Sequence, residues 1–382
     1  MWSFYEFFAG GGMARAGLGK EWECLFANDI DAKKGASYAA NWGDKHLRIE
    51  DVCKLTVADL PYSADLAWAS FPCQDLSLAG DYVGLKGERS GTFWPFWRLV
   101  KELAREGRAP SVVVLENVCG ALTSHGGKDF AAIGAALANG GYCFGALVVD
   151  AVRFVPQSRP RLFIVAVHKG RTVPAGLTGT QAGPLWHPAS LVGAYRKLSQ
   201  RSKEAWLWWN LPEPPLRQST IADVIEDDPH GVSWHTTAEK SRLLGMMSPI
   251  NREKVEKAKG AKRPMVGGVY RRTRQDENGK RAQRAEIRFD DLAGCLRTPV
   301  GGSSRQFIMT VEGNNVRSRL LSPREAARLM GLPDSYKLPE NYNEAYHLSG
   351  DGVVVPVVSF LATHLLEPLL AGVAARGKKK AA

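Results

Sequence analysis

The chain has 382 residues, of which 45% are hydrophobic, and it carries a formal net charge of +11 at pH 7. This length suits about two domains, and because the sequence shows neither a run of about 18 apolar residues nor a secretory signal, we expect a cytoplasmic protein without a membrane anchor. The basic excess favours a polyanionic partner, although a basic surface without a specific partner would carry the same charge.

The first 170 residues alternate short apolar runs with stretches of helical spacing. Strands are predicted at 3–8, 23–28, 64–71, 111–116, 142–149 and 161–167, and helices at 13–20, 32–42, 93–105 and 130–139. Such alternation is typical of an α/β fold in which a mostly parallel, doubly wound sheet is covered by helices on both faces.

A glycine-rich turn, Phe8-Ala9-Gly10-Gly11-Gly12, joins the first strand to the first helix. Glycine at a helix N-terminus lets a ligand approach the backbone closely. Asp29 ends the second strand, where an acid can accept hydrogen bonds from ribose hydroxyls, and Asp51 could accept from an adenine amino group. Because the turn is not G-x-G-x-x-G, an adenosine-bearing ligand other than NAD is favoured. Either acid alone could be a solvated loop residue.

A cysteine and an acid each follow an apolar run. Cys73 lies in Pro72-Cys73-Gln74 after the run 64–71, and Glu116 follows the run 112–115. Carboxyl ends of parallel strands meet at one edge of a sheet, so we expect the two side chains at the same edge. A thiolate there can attack a ring carbon while a carboxylic acid protonates a ring nitrogen.

The spacing of the cysteines argues against a metal site. The six cysteines contain no C-x-x-C pair, so neither a metal site nor a disulfide framework is expected.

Two arginines flank a proline in the segment 157–161, which precedes another predicted strand. They could hold a phosphate or a carbonyl oxygen, although an ordinary basic loop has the same composition.

The periodicity weakens after residue 169, and residues 252–288 are densely basic. We predict a second, smaller domain here, because a structureless stretch of this length inside a compact protein is improbable. For Trp206, Trp208 and Trp209 we favour packing in a core over stacking on bases. Beyond it, 322–325 has the pattern of a helix start, and the apolar helix predicted at 353–370 should be kinked at Pro356 and near Pro368.

Taken together, these motifs resemble the DNA (cytosine-5)-methyltransferase family over residues 1–170 and 317–371. The motifs, in chain order, are Phe8 to Gly12, Pro72-Cys73-Gln74, Glu116-Asn117-Val118, Gln157 to Arg161, Arg319 to Glu325 with Met330-Gly331, and the helix after Gly350. The last motif departs from the family's usual Gly-Asn-x-Val, because this chain has Asp351 in place of the asparagine. An ionised aspartate accepts hydrogen bonds but cannot donate them.

The resemblance implies a Rossmann-like methyltransferase domain at 1–170 that is completed by 317–371, a target-recognition domain at 171–316 and a basic tail at 372–382. It implies S-adenosylmethionine as the cofactor, with contacts from Phe8, Gly10, Gly12, Asp29, Ile30, Asp51, Val52, Pro72, Asp351 and Val353. The implied catalytic residues are Cys73, Glu116, Arg159 and Arg161. The expected DNA contacts are Gln74, Ser77 and Gln157, with Arg271, Arg272, Arg297 and Arg305 as candidates to read guanine, which arginine bonds bidentately.

The implied reaction is methylation of C5 of a cytosine in double-stranded DNA, through base flipping and a covalent adduct with Cys73. We expect a monomer that needs no restriction endonuclease for its activity, although a cognate one is compatible with the family. Two other functions stay open, namely a tRNA cytosine-5 methyltransferase and a catalytically inactive DNA-binding relative. The long basic region 171–316 favours duplex DNA over tRNA, and the intact catalytic motifs disfavour inactivity.

Overall fold

The computed structural model describes residues 1–72, 90–275, 279, 281–298 and 305–377. The chain divides into two compact units. The first contains Met1–Asp150, Pro160–Pro214 and Val355–Ala382, and the second contains Ala151–Arg159 and Pro215–Val354. The boundaries therefore differ from those expected at residues 170 and 317: residues 171–214 belong to the first unit and residues 317–354 to the second.

A seven-stranded sheet forms the centre of the first unit. Its strands are β1 (Trp2–Phe7), β2 (Trp22–Asp29), β3 (Leu47–Ile49), β4 (Leu66–Ala69), β5 (Val112–Val118), β6 (Tyr142–Asp150) and β7 (Pro160–His168). They are arranged in the order β3-β2-β1-β4-β5-β7-β6. Strands β1 to β5 are parallel to one another, whereas β7 is antiparallel to both β5 and β6. This confirms the mostly parallel sheet that the sequence predicts.

Four helices alternate with these strands, namely α1 (Met13–Leu18), α2 (Ala32–Trp42), α3 (Phe93–Arg105) and α4 (Lys128–Asn139). The predicted bounds of α2 and α3 are confirmed. Helix α2 begins where the Asp31 carboxylate accepts hydrogen bonds from the backbone N–H of Lys33 and Lys34, which satisfies donors that a helix start leaves unpaired. Helix α3 buries Phe93, Phe96, Trp97, Val100 and Leu103, a spacing that places one apolar stripe against the core.

Residues after β7 complete the first core. They form β8 (Thr178–Gly179), α5 (Ala189–Arg196), α6 (Gln200–Glu204) and β9 (Trp208–Trp209). The ring of Trp206 lies edge-on to Phe144 at 5.3 Å and to Phe130 at 6.2 Å. Packing of the tryptophan cluster in a core is therefore confirmed, and this packing explains why the first unit extends to residue 214.

The second unit contains an antiparallel sheet with flanking helices. Its elements are α7 (Thr237–Gly245), α8 (Pro249–Lys259), β10 (Met265–Gln275), β11 (Arg281–Arg288), β12 (Phe307–Glu312), β13 (Asn315–Leu320), α9 (Pro323–Leu329) and α10 (Tyr342–Asp351). The strand order is β11-β10-β12-β13. Strand β10 buries Gly267, Gly268 and Val269 and exposes its last four residues, so its apolar pattern is too short to be recognised in the sequence.

A buried ion pair ties residues 317–354 to the rest of the second unit. Both Arg319 and Glu325 have fully buried side chains, and the two ends of the guanidinium donate to the two carboxylate oxygens at 2.6 and 2.7 Å. Glu325 also accepts from the backbone N–H of Ser322 at 2.7 Å and of Glu226 at 2.8 Å. Opposite charges paired in this way can be buried, although Nε of Arg319 has no hydrogen-bond partner among the described residues. The predicted helix start at Ser322 is confirmed.

The C-terminal helical segment returns to the first unit as α11 (Val355–Leu361), a π turn (Ala362–Leu366) and α12 (Glu367–Gly377). Pro368 lacks the N–H that a regular helix needs, which accounts for the π turn just before it. Helix α11 packs on α1, where a Cβ on Gly17 would lie 2.3 Å from Cβ of Val358 and the Ser359 hydroxyl donates to the Gly17 carbonyl at 2.8 Å.

The helical stretch Tyr342–Gly372 is long and apolar enough to cross a membrane by length and composition alone. This differs from the expectation that no such segment exists. However, 67% of its most apolar window is buried inside the protein, as in the core helix of a folded domain. The absence of a membrane anchor therefore stays a prediction.

Candidate active site

The carboxyl ends of β4 and β5 bring two of the sequence motifs together. The strands are parallel neighbours, with Ala69 opposite Leu115, and Glu116 is the next residue of β5. The side-chain amide of Asn117 donates to the Phe71 carbonyl at 3.3 Å. Because Phe71 precedes Pro72, this bond fixes the chain just before the cysteine motif. Cys73, Gln74 and Ser77 themselves lie outside the described residues.

Glu116 is buried beside a cation. The residue is only 7% exposed, and its Oε1 atom lies 3.4 Å from Nε of Arg161. The antiparallel pairing of β5 with β7 sets this contact, since Val118 lies opposite Arg161. The structure thus brings together two of the predicted catalytic residues, a carboxyl group and a guanidinium.

A second thiol lies close to this pair, and the sequence did not single it out. Cys119 begins the turn after β5, and burial raises the pKa of its thiol to about 11 although the nearby Arg161 lowers it. At neutral pH the Cys119 side chain is therefore a neutral thiol. A thiolate is the nucleophilic form, so Cys119 is a poor candidate for the nucleophile.

Arg159, for which a substrate contact is predicted, is bonded to the backbone of the second unit. It is only 1% exposed and belongs to the second unit. Its guanidinium donates to the carbonyl oxygens of Leu296, Gly350 and Gly352 at 2.7 to 2.8 Å. These bonds give Arg159 a bracing role on the backbone, whereas Arg161 belongs to the first unit and contacts Glu116.

Gln157, predicted to contact DNA, is bonded within the second unit. It is fully buried, accepts from the backbone N–H of Leu296 at 3.0 Å and donates to the Leu329 carbonyl at 2.7 Å. Gly350 packs on the same segment, since a Cβ there would lie 2.9 Å from the carbonyl carbon of Arg297. Asp351, which stands where the family usually has an asparagine, accepts a hydrogen bond from the Thr298 hydroxyl. Val353, which follows Gly352 directly, is buried in the same unit.

The glycine-rich turn after β1 has the backbone that its sequence predicts. Gly10 and Gly12 have φ of 55° and 75°, and Phe8 shares this left-handed conformation with φ of 58°. A Cβ on Gly12 would lie 2.4 Å from the Trp42 indole nitrogen, whereas one on Gly10 meets no described atom within 4 Å. Gly12 therefore closes the turn onto α2, and Gly10 leaves room for a ligand to reach the backbone at the start of α1.

Asp29 connects this turn to the end of β2. Its carboxylate accepts from the backbone N–H of Gly10 at 2.8 Å and of Asp31 at 2.9 Å, and burial raises its pKa. Ile30, the next residue, is 68% exposed, which is unusual for a large apolar side chain. The two side chains offer a hydrogen-bond acceptor beside an open apolar surface.

The third segment of this cluster follows β3. The backbone N–H of Glu50 donates to the Asp29 carbonyl at 3.1 Å, which places residues 50–52 next to Asp29. The Asp51 carboxylate accepts from the backbone N–H of Cys53 at 2.8 Å, and Val52 is buried. The structure therefore brings together the predicted cofactor residues of the three strand ends β1, β2 and β3.

A buried acid below the turn was not assigned a role from the sequence. Glu6 is 1% exposed, and its Oε1 accepts from the backbone N–H of Arg15 at 3.3 Å. Its other oxygen has no hydrogen-bond partner among the described residues. Burial raises the pKa of Glu6 to about 8, Arg15 opposes this shift, and the charge of Asp29 adds to it.

We expect Glu6→Gln to remove a pH-dependent loss of stability. Because the folded-state pKa of about 8 lies above the reference value of 4.5, stability from the neutral side chain is complete below about pH 4.5 and is lost as the pH rises through 8. The variant should therefore gain up to about 1.4 kcal/mol of unfolding free energy over the wild type per pH unit in that window. Urea unfolding of both proteins from pH 5 to pH 9 measures this difference, and a difference independent of pH would contradict the assignment.

The four arginines proposed as guanine readers lie in different surroundings. Arg272 lies 3.6 Å from the carboxylate of Glu286, and Arg297 is exposed. Arg271 is half-buried with its guanidinium over the ring of Phe307, and Arg305 donates to the side chain of Asn343. Arg271 and Arg272 are consecutive in β10, so their side chains point to opposite faces of the sheet.

Comparison with known proteins identifies a family and several relatives of this chain. A family model described as C-5 cytosine-specific DNA methylase matches residues 2–367. The type II methyltransferase M.HpaII of Haemophilus parainfluenzae is 27% identical over 380 residues, which cover 96% of this chain and 90% of the relative. The type II methyltransferase M.HhaI of Haemophilus parahaemolyticus is 23% identical over 365 residues, which cover 95% and 93%.

Solved structures share the fold. The S. pombe Dnmt2 methyltransferase aligns with a TM-score of 0.60 at 18% identity, over 97% of this chain and 99% of that chain. A putative DNA modification methyltransferase encoded within an E. coli prophage aligns with a TM-score of 0.58 at 17% identity, over 97% and 100%. At these identities the likeness concerns the fold alone.

Proposed function

The chain belongs to the family of C-5 cytosine-specific DNA methylases, and from this premise we propose that it transfers a methyl group from S-adenosylmethionine to C5 of a cytosine in double-stranded DNA. The observation that carries the proposal is the joining of the ends of β4 and β5. There Glu116 is buried 3.4 Å from the Arg161 guanidinium, and Asn117 bonds the segment that leads into Pro72 and Cys73.

The strand ends of β1, β2 and β3 fit the proposed cofactor. S-adenosylmethionine supplies the methyl group when it is bound. The space beside Gly10 and the left-handed backbone of the turn suit a ligand held against the start of α1. Asp29 offers carboxylate lone pairs to ribose hydroxyls beyond its two backbone bonds, exposed Ile30 can cover an adenine face, and Asp51 can accept from the adenine amino group. Phe8 and Val52 border the same region.

Cys73 and Glu116 act on the cytosine in this proposal. The base leaves the duplex so that its ring carbons become accessible. The Cys73 thiolate forms a bond to C6 while Glu116 gives a proton to N3, so the electron pair of the C5–C6 double bond becomes available at C5. C5 would then take the methyl group, whose bond to the sulfonium sulfur of the cofactor breaks and leaves S-adenosylhomocysteine. C5 loses its proton to water, N3 returns its proton to Glu116, and the C6–S bond breaks, which releases the Cys73 thiolate and restores the aromatic ring.

Arg161 has a supporting part in this step. A guanidinium beside Glu116 keeps the acid oriented by charge and can also donate to the O2 carbonyl of the base. Arg159, which is bonded to three backbone carbonyls of the second unit, is proposed to act through the backbone that it braces. We do not assign it a contact with the base.

Cytosine methylation in tRNA is the second candidate. It would use the same Cys73 and Glu116, and the fold likeness to the S. pombe Dnmt2 methyltransferase extends over 97% of this chain. The basic strands β10 and β11 of the second unit favour duplex DNA, because a polyanion with two strands offers phosphates to a broad positive surface.

Methyl transfer from labelled S-adenosylmethionine tests the proposal. The purified chain alone, as a monomer and without an endonuclease, is expected to label unmethylated duplex DNA at one short motif, which sequencing of 5-methylcytosine would identify. Equal amounts of tRNA serve as the competing substrate. Label in tRNA with none in DNA would select the second candidate, and label in neither would indicate an inactive DNA-binding relative.

A further inference from the structure

Two arginines face each other where the pairing of β10 with β12 ends. The antiparallel ladder runs from Met265 opposite Val311 to Val269 opposite Phe307. Arg305 lies just before β12 begins at Phe307. Extended by two residues beyond the end of the ladder, the register would place Arg271 opposite Arg305, and steps of two return to the same face of a strand. Like charges that lie opposite each other repel.

Aromatic rings hold both guanidinium groups. The Cζ atom of Arg271 lies 4.8 Å from the ring centre of Phe307, and that of Arg305 lies 5.6 Å from the ring centre of Tyr342. Arg305 also donates to the side chain of Asn343, while its Nε is buried without a hydrogen-bond partner among the described residues. Stacking of this kind restricts the side chains before any ligand binds.

A third arginine adds to the same charge. Arg242 lies on α7, whose Leu243 packs in one core cluster with Val269 and Phe307. Burial, then the charges of Arg242 and Arg305, lower the pKa of Arg271. Neither Arg242 nor Arg305 forms an ion pair with a carboxylate in the described part of the chain.

The opposite face of β10 provides the contrast. Arg272 and Arg274 lie there, 3.6 and 2.6 Å from the carboxylate of Glu286 on β11. Their charge is therefore offset by a neighbour within the sheet. On one face of β10, Arg272 and Arg274 are therefore paired with an acid. Arg271 is on the other face, where its nearby charges are those of Arg242 and Arg305.

We propose that Arg242, Arg271 and Arg305 form an anion site that binds one phosphate group of the DNA backbone, an inference that rests on the proposed function. Several guanidinium groups that converge on one point match the oxygens of a phosphate, whereas a guanine edge is read by a single planar arginine. The site would position the second unit on the duplex and would contribute affinity without sequence preference.

Arg271→Gln is expected to weaken DNA binding about fivefold at 0.15 M salt, because one phosphate contact changes the salt slope by about 0.9. The loss should be equal on the target duplex and on a duplex of unrelated sequence. The experiment measures the dissociation constant on both duplexes between 0.05 and 0.3 M salt by fluorescence anisotropy. The double variant Arg271→Gln/Arg305→Gln should lower the slope by no more than about 0.9 in total, because both arginines contact the same phosphate.

Arg274→Gln is the matched control, because it removes the same charge from the opposite face of the same strand. Its salt slope should equal that of the wild type. Equal slopes for Arg271→Gln and Arg274→Gln would overturn the proposal, and a loss confined to the target duplex would overturn it in favour of base reading. Inorganic phosphate at 50 mM distinguishes a general anion site from a site specific to DNA. The phosphate should raise the melting temperature of the wild type by less than duplex DNA raises it.

Thermal unfolding without DNA separates a ligand site from a structural one. Removal of one of several repelling charges should leave the melting temperature of Arg271→Gln at or above that of the wild type in low salt. A fall of several degrees with an unchanged salt slope would assign Arg271 to folding and overturn the site. If the wild type binds tRNA and not duplex DNA, the proposed function fails, and the same comparison of variants on tRNA still tests the anion site.

Discussion

Cys73→Ala is expected to abolish methyl transfer and to leave the affinity for S-adenosylmethionine nearly unchanged. The thiol is proposed to form the covalent bond to C6, and alanine offers no nucleophile, so the loss should be in the rate rather than in binding. The proposed cofactor residues lie at the ends of β1, β2 and β3, which the substitution leaves intact. Single-turnover methyl transfer and calorimetric cofactor binding measure the two quantities separately.

Duplex DNA with 5-fluorocytosine at the target position tests the covalent bond itself. Fluorine at C5 cannot leave as a proton does, so the final elimination stops and the wild type should stay joined to the DNA as a species of higher mass. Cys143→Ala, which removes another thiol of the first unit, should still form this species, and Cys73→Ala should not. Adduct formation by Cys73→Ala would show that another group is the nucleophile.

The first unit could largely be predicted from the sequence because its strands and helices have strong local signals. Buried parallel strands such as β5 are continuous apolar runs, and helices such as α2 have a capping acid and a terminal glycine. The orientation of β7 was not predicted. The link of residues 151–159 is shorter than the dozen or so residues that a parallel crossover needs, so the antiparallel orientation follows from chain length.

The second unit and part of the site could not be predicted, because they depend on contacts distant in sequence. Arg159 and Arg161 lie on either side of one proline in the sequence, yet one bonds the carbonyls of Gly350 and Gly352 and the other contacts Glu116. No local pattern distinguishes them. The pairing of Arg271 with Phe307 likewise depends on the register of β10 and β12, which the basic composition of the region does not reveal.

The acid at the end of β5 gives the second large prediction. Glu116→Gln is expected to slow methyl transfer by about 100- to 10,000-fold, the usual contribution of a positioned proton donor. Glutamine can still hydrogen-bond to N3 of the base, but it cannot transfer a proton, and it removes the carboxylate that lies 3.4 Å from Nε of Arg161. The developing negative charge on the ring would then lack its acid, so attack by Cys73 should become the slow step. Cofactor affinity should stay close to that of the wild type.

Glu23→Gln is a suitable control for this substitution, because Glu23 is an exposed carboxylate on β2 of the same unit. Its rate should match the wild type. Formation of the 5-fluorocytosine adduct, followed over time, shows which step Glu116 assists: a slower appearance of the adduct with Glu116→Gln places the proton transfer in the attack on C6. A wild-type rate of adduct formation together with slow methyl transfer would place the acid after the attack. Wild-type rates for both steps would refute the role of Glu116 in activating the base.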